Sequence, residues 1–115
     1  GGLGGVMEAA CRGYSEAGGT VVGILPGERE DANPYVSIRV ATGMGHARNA
    51  IIVRSADAVI ALPGEYGTLS EIALALKMKR PVISLESWNI PGTLKAKDPS
   101  EAIELLRRRS ETGKA

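Results

Sequence analysis

A short apolar run, Asp57-Ala-Val-Ile-Ala-Leu62, stops at Pro63-Gly64 and restarts beyond Glu65-Tyr66-Gly67-Thr68 as an amphipathic stretch from Leu69 to Met78. A β-rich run that halts at Pro-Gly and resumes at helical spacing reads as strand, tight loop, helix. In an open α/β sheet that junction lies at the carboxyl end of a strand, where ligands bind. Gly64 and Gly67 are expected to supply positive φ and close approach of backbone to a ligand. The amide groups that open the following helix attract an anion, most often a phosphate. Glu71 admits two readings. With Thr68 as N-cap it closes a capping box. Facing the ligand instead, it does acid–base or electrostatic work beside the phosphate.

The rest of the chain repeats this grammar. Gly1-Gly2-Leu3-Gly4-Gly5 leads into helical spacing at Val6, Ala9, Ala10, Gly13, Tyr14 and Ala17, stopped by Gly18-Gly19. Thr20–Leu25 reads as a buried strand, 28–34 as a polar loop and Tyr35–Val40 as a shorter strand. Ala41-Thr42-Gly43-Met44-Gly45 is a second glycine loop, and His46–Ser55 is predicted to be a helix carrying Arg48, Asn49 and Arg54. Leu69, Ile72, Ala73 and Leu76 form the expected inward stripe of the helix after the central loop. Arg80–Leu85 is the last clear strand, and Glu86–Lys97 reads as a loop containing Trp88. Asp98 caps a final helix with Pro99 at its first position, Glu101 three residues beyond the cap, and Ala102, Leu105 and Leu106 on the apolar side. Strands alternating with helices predict a doubly wound parallel sheet in one domain, residues 1–115.

Composition narrows the function classes. A net charge of +1 gives no pull toward nucleic acid or a membrane surface, and Arg107-Arg108-Arg109 suits a helix carboxyl end. With no Phe, one Trp and three Tyr, the core must be aliphatic, as in parallel sheets buried on both faces. The single Cys11 forms no internal disulfide and is expected to be a small core residue in a reducing, cytoplasmic setting. No apolar run approaches a membrane span. His46, the one histidine, has no cluster that would hold a metal.

In a parallel sheet, loops that follow strands emerge at one edge. Those at Gly1–Gly5, Thr42–Gly45 and Pro63–Thr68 are therefore expected to meet at one crevice, which favours a small phosphorylated ligand, most plausibly a nucleotide. None matches G-x-x-x-x-G-K-[ST], and the first lacks the G-x-G-x-x-G spacing, so an ordinary ATPase or dehydrogenase is disfavoured. Arg48 in the first turn of its helix opposes the dipole, as suits a guanidinium that clamps phosphate or carboxylate; a surface arginine is the alternative. Asn49 is read as a base or ribose contact or a turn stabiliser, Tyr66 as a stacking or exposed residue, and Thr68 as a phosphate contact or a cap.

Gly1-Gly-x-Gly-Gly-Val-Met7, Gly43-Met-x-x-Ala-Arg-Asn49 and Pro63-Gly-x-x-Gly-Thr-x-x-Glu71 occur in this order. Together they resemble the LOG family within the Rossmann-like SLOG nucleotide-binding proteins, over residues 1 to about 85. The likeness is greatest to the bacterial branch related to the molybdenum cofactor carrier protein. The resemblance implies a Rossmann-like fold, usually dimeric or of higher homo-oligomeric order, with no cofactor. In its cytokinin-activating members it implies hydrolysis of a nucleoside 5′-monophosphate to base and ribose 5-phosphate, with Arg48 and Glu71 in the catalytic positions. Ligand contacts would come from Gly1, Gly2, Gly4, Gly5, Met44, Asn49, Pro63, Gly64, Tyr66, Gly67 and Thr68. Active members usually carry lysine where this chain has Asn49 and a second glycine where it has Glu65. These departures favour the other reading, a non-catalytic carrier or sensor for a nucleotide or the molybdenum cofactor. The family pattern also places a strand, a helix and a second strand before the first motif. On that reading the chain is an N-terminally truncated piece, expected to be unstable alone.

Overall fold

The computed structural model describes residues 3–113, with side chains through residue 109. The chain separates into two compact units, Gly1–Ile52 and Val53–Ala115.

In the first unit, helix α1 (Val6–Glu16) is followed by strands β1 (Val22–Leu25) and β2 (Ile38–Ala41). The strands pair in parallel, from Val22 opposite Ile38 to Leu25 opposite Ala41. Both are shorter at their starts than the β-branched runs suggested. Ser37 and Ile38 both donate to the Val21 carbonyl, so the regular ladder begins only after that shared acceptor. Val21, Leu25 and Val36 are the buried aliphatic residues here. No residue of α1 is buried, and Cys11, expected to be a small core residue, is half-buried. A 3-10 turn (Gly45–Arg48) then leads into α2 (Asn49–Ser55), where the sequence suggested one continuous helix from His46. Gly45, with φ of 58°, lies outside the helical region and tightens the entry.

The second unit is a three-stranded parallel sheet in the order β3-β4-β5, made of Val59–Ala61, Val82–Leu85 and Leu94–Ala96. Side chains alternate between its faces. On one, Ala61 and Val82 pack with Val53 of α2 and with Ile72 and Ala75 of helix α3 (Tyr66–Lys77). On the other, Ile83 and Ala96 pack with Ala102 of helix α4 (Pro99–Gly113), with Leu105 and Leu106 alongside. The aliphatic core and the parallel pairing are as predicted, and burial on both faces is why adjacent residues of β4, Val82 and Ile83, are both apolar. Strand β5 lies within Glu86–Lys97, where the sequence predicts a loop. Three residues carry no usable period, and only pairing with β4 makes them a strand.

Helix ends follow the local chemistry. At α4 the Asp98 carboxylate accepts from the Glu101 amide (2.8 Å), as predicted. Glu101 closes back on the Lys97 amide (3.2 Å), one residue before the cap. Helices α1 and α3 end alike: the amides of Gly18 and Gly19 reach Ser15 and Tyr14, and those of Lys79 and Arg80 reach Leu76 and Ala75. This is the Schellman pattern. In α1 glycine takes the left-handed position, but in α3 Lys79 does so, with φ of 61°. A side chain is disfavoured there. Replacement Lys79→Gly is therefore expected to stabilise the chain by about 0.5–1 kcal/mol, measured as a higher urea midpoint at unchanged slope.

Candidate functional site

The second unit holds the Pro63–Glu71 motif. Helix α3 starts at Tyr66, earlier than the sequence suggested, with Glu65 as N-cap. Thr68 is therefore inside the first turn and is not the cap. Glu71 lies in the second turn, half-buried, and the expected capping box is absent. The first regular helical bond is Leu69 N–H to the Glu65 carbonyl (3.1 Å), so the amides of Tyr66, Gly67 and Thr68 form the positive end of the helix. Glu65 is exposed, and its carboxylate makes no capping bond to those amides.

The two glycines of this turn differ from expectation, since neither has positive φ. Gly64 is needed for space: a Cβ there would sit 2.1 Å from Thr68 Oγ1. Thr68 thus folds back over the Pro-Gly turn and holds it against the helix. A Cβ on Gly67 would meet nothing within 4 Å. That glycine leaves open room at the helix entrance. Ala73, expected in the inward stripe of α3, is exposed; Ala75 takes the buried place, three residues on from buried Ile72 on the same helix face.

The first unit holds the other two motifs. Gly43 and Gly45 both have positive φ, near 60° (62° and 58°). Their loop is tied to the end of β1: Thr42 Oγ1 donates to the Leu25 carbonyl (2.6 Å), and Gly45 N–H donates to the Pro26 carbonyl (2.9 Å). Met44 is exposed. Arg48 is no surface arginine. Only 8% of it is exposed, and its Nη1 donates to Asn49 Oδ1 at 3.1 Å, with Asn49 buried as well. The neutral carboxamide of Asn49 thus serves as an acceptor that orients the arginine. Gly4 and Gly5 lead into α1, with Gly5 as its N-cap; Gly1 and Gly2 lie outside the described residues. Among the described residues no cluster of His, Cys, Asp and Glu could hold a metal ion, and no helix is long and apolar enough to cross a membrane.

Two residues had no role in the sequence reading. Asn33 is buried, and its Nδ2 donates to the Leu3 carbonyl (2.9 Å), which fastens the first glycine loop. Its signal was the Asn-Pro pair, a turn starter. Trp88 stacks on Tyr66 with ring centroids 6.0 Å apart and planes at 26°. Its Nε1 donates to the Glu65 carbonyl at 3.1 Å. A lone tryptophan in a loop gives no sequence signal for either contact.

Residues 1–112 match the SLOG cluster4 family. The chain belongs to that family. An uncharacterized protein of Archaeoglobus fulgidus is 52% identical over 104 residues, covering 90% of this chain and 69% of the relative. The cytokinin riboside 5′-monophosphate phosphoribohydrolase LOG of Oryza sativa is 41% identical over 76 residues, 63% of this chain and 31% of the enzyme. The SLOG chain thus spans about a third of the plant enzymes it matches. Among solved structures, the molybdenum cofactor binding protein of Rippkaea orientalis has a TM-score of 0.84 at 40% identity, over 90% of this chain and 71% of that one. The Moco carrier protein of Chlamydomonas reinhardtii has 0.83 at 34% identity, over 94% and 72%. The fold is the Rossmann-like α/β fold of these proteins.

The contrast between the two glycines of the α3 turn is testable. Gly64→Ala is expected to cost about 1–3 kcal/mol through the clash with Thr68. Gly67→Ala is expected to add about 0.5–1 kcal/mol by favouring the helix, yet to weaken binding of a phosphorylated ligand that approaches the open entrance. Urea melts and equilibrium dialysis of the two variants with AMP check both halves.

Proposed function

We propose that this SLOG protein binds a nucleotide or a similar phosphorylated small molecule, with the phosphate at the amino end of α3. The observation that carries the reading is the Pro63–Thr68 turn. It opens a twelve-residue helix whose N-cap, the exposed Glu65, makes no side-chain capping bond. Such an end favours an anion through its amides and the helix dipole. In the proposal Pro63, Gly64, Gly67 and Thr68 surround the phosphate, and the chain works as a homodimer or larger homo-oligomer. The bond from Arg48 to Asn49 favours a carrier, because it places a neutral acceptor where active relatives carry a second cation.

The retained Arg48 and Glu71 support a second reading, hydrolysis of the N-glycosidic bond. There water adds to C1′ while the C1′–N bond breaks, its electron pair leaves with the base, and the water's proton ends on the base nitrogen. Glu71 would orient the water and stabilise the oxocarbenium-like charge. The experiment is base release from AMP by the full chain, followed by chromatography, with Glu71→Gln as control. For a carrier, AMP is retained in equilibrium dialysis and no adenine forms. Adenine and ribose 5-phosphate made by the wild type, with a loss of about 100-fold or more in the variant, would establish the hydrolase.

A further inference from the structure

The loop between β4 and β5 forms a depression of about 280 Å³, lined by residues 86–89 of the loop and by Ser84, Lys95 and Ala96 of the two strands. No residue of the Pro63–Glu71 turn lines it, so the phosphate reading leaves it without a use. Its shape is fixed from within. Ser84 is buried, stands opposite Lys95 in the strand register, and donates through Oγ to the Trp88 carbonyl (3.2 Å). The loop opens with Glu86 in the left-handed region, φ 53°, a conformation kept only when its surroundings enforce it.

Polar groups of this lining lack partners among the described residues. Ser87 Oγ is buried with no hydrogen bond there. The carboxylate of Glu86 and the ammonium of Lys95 make no ion pair among the described residues. A buried hydroxyl in that state is costly, and a bound group that bonds to it removes the cost. The two charges decide what that group is. A simple anion is repelled by Glu86, and a simple cation by Lys95. A neutral molecule leaves both charges unanswered. A molecule that carries both charges gives each of them a charge-assisted hydrogen bond, the stronger kind. Volume sets its size. Sites for drug-sized ligands run to about 300–1,000 Å³, so this one takes a smaller molecule, whose two charges lie close together. An α-amino acid has that form.

We propose that the depression is a binding site for a free, small α-amino acid, with its ammonium on Glu86, its carboxylate on Lys95 and the Ser87 hydroxyl bonded to one of its polar ends. The assignment gives Glu86, Ser87 and Lys95 a role that is separate from the phosphate reading and does not depend on it.

The test uses the full chain, in which Trp88 is the single tryptophan and lines the depression, so its emission reports filling. Glycine, L-alanine and L-serine are titrated into the millimolar range by emission and by calorimetry, and at least one is expected to bind. The tightest is then compared with its two one-charge analogues: methylamine and acetate for glycine, ethylamine and propionate for alanine, ethanolamine and 3-hydroxypropionate for serine. Each analogue is expected to bind about tenfold more weakly or worse, since a charged hydrogen bond is worth at least that factor. Lys95→Gln should remove the preference over the amine, and Glu86→Gln the preference over the acid; both positions are exposed, so the core is spared. Ser87→Ala separates a binding hydroxyl from a structural one. The ligand-free variant is expected to unfold at higher urea, because an unbonded buried hydroxyl is gone, while the amino acid binds more weakly. A lower urea midpoint for this variant overturns the role of Ser87. Failure of all three amino acids to bind, or equal binding of the tightest and its one-charge analogues, overturns the site. Displacement of the amino acid by AMP would put the depression in the phosphate site and overturn the separate assignment.

Discussion

Strand β4 is the constraint on which the second unit depends. It pairs on both edges, with β3 and with β5, and successive side chains enter opposite cores: Val82 meets the α3 side and Ile83 the α4 side. Every backbone polar group of such a strand must be satisfied by its neighbours, because no water reaches it. Val82 and Ile83 are therefore not free to become polar, and the register of three strands follows from theirs. The same strand delivers Ser84 and the loop after it to the carboxyl edge of the sheet, where ligands of this class of fold bind.

From that edge the α3 turn and the β4–β5 loop become one structure. The indole N–H of Trp88 satisfies the Glu65 carbonyl, and Thr68 packs onto Gly64 from inside the helix. The turn is thus held from both sides by short-range contacts. A rigid, glycine-lined helix entrance has its amides oriented before a ligand arrives, which lowers the ordering cost of binding. The carboxylate of Glu65, which looked unfavourable beside a phosphate, stands at the cap but bonds to none of the helix amides. In the first unit Arg48 is held in an analogous way by its own neighbour, Asn49, with both side chains buried.

Much of this was legible in the residues. Pro63-Gly64 marked the end of β3, Gly18-Gly19 marked the end of α1, and Asp98-Pro99 marked the start of α4. Each worked because glycine and proline act on their own backbone, and a short carboxylate reaches amides three residues away. Errors came where a longer-range partner decided the outcome. Thr68 looked like a cap because of its spacing to Glu71, but the helix had already begun at Tyr66. Strand β5 exists because β4 lies beside it. Lys79 adopts the conformation of a glycine because the two bonds that close α3 require it. The family motifs marked Arg48, Asn49 and the Pro63–Glu71 turn, while Asn33 and Trp88 were missed, since their contacts lie 30 and 23 residues away in the chain.

By itself the sequence determined the alternation of strands and helices, the aliphatic core, the three glycine-rich turns and membership of the SLOG family. All of these are written in local periodicity or in the backbone freedom of single residues. Tertiary structure decided which side chains matter around those turns. It buried Arg48 against Asn49, turned Ala73 outward and Ala75 inward, placed Thr68 over Gly64, and stacked the one tryptophan on an exposed tyrosine. These outcomes depend on which residues the fold brings within a few ångströms of each other, and hydrogen bonds and ring contacts form only at that range.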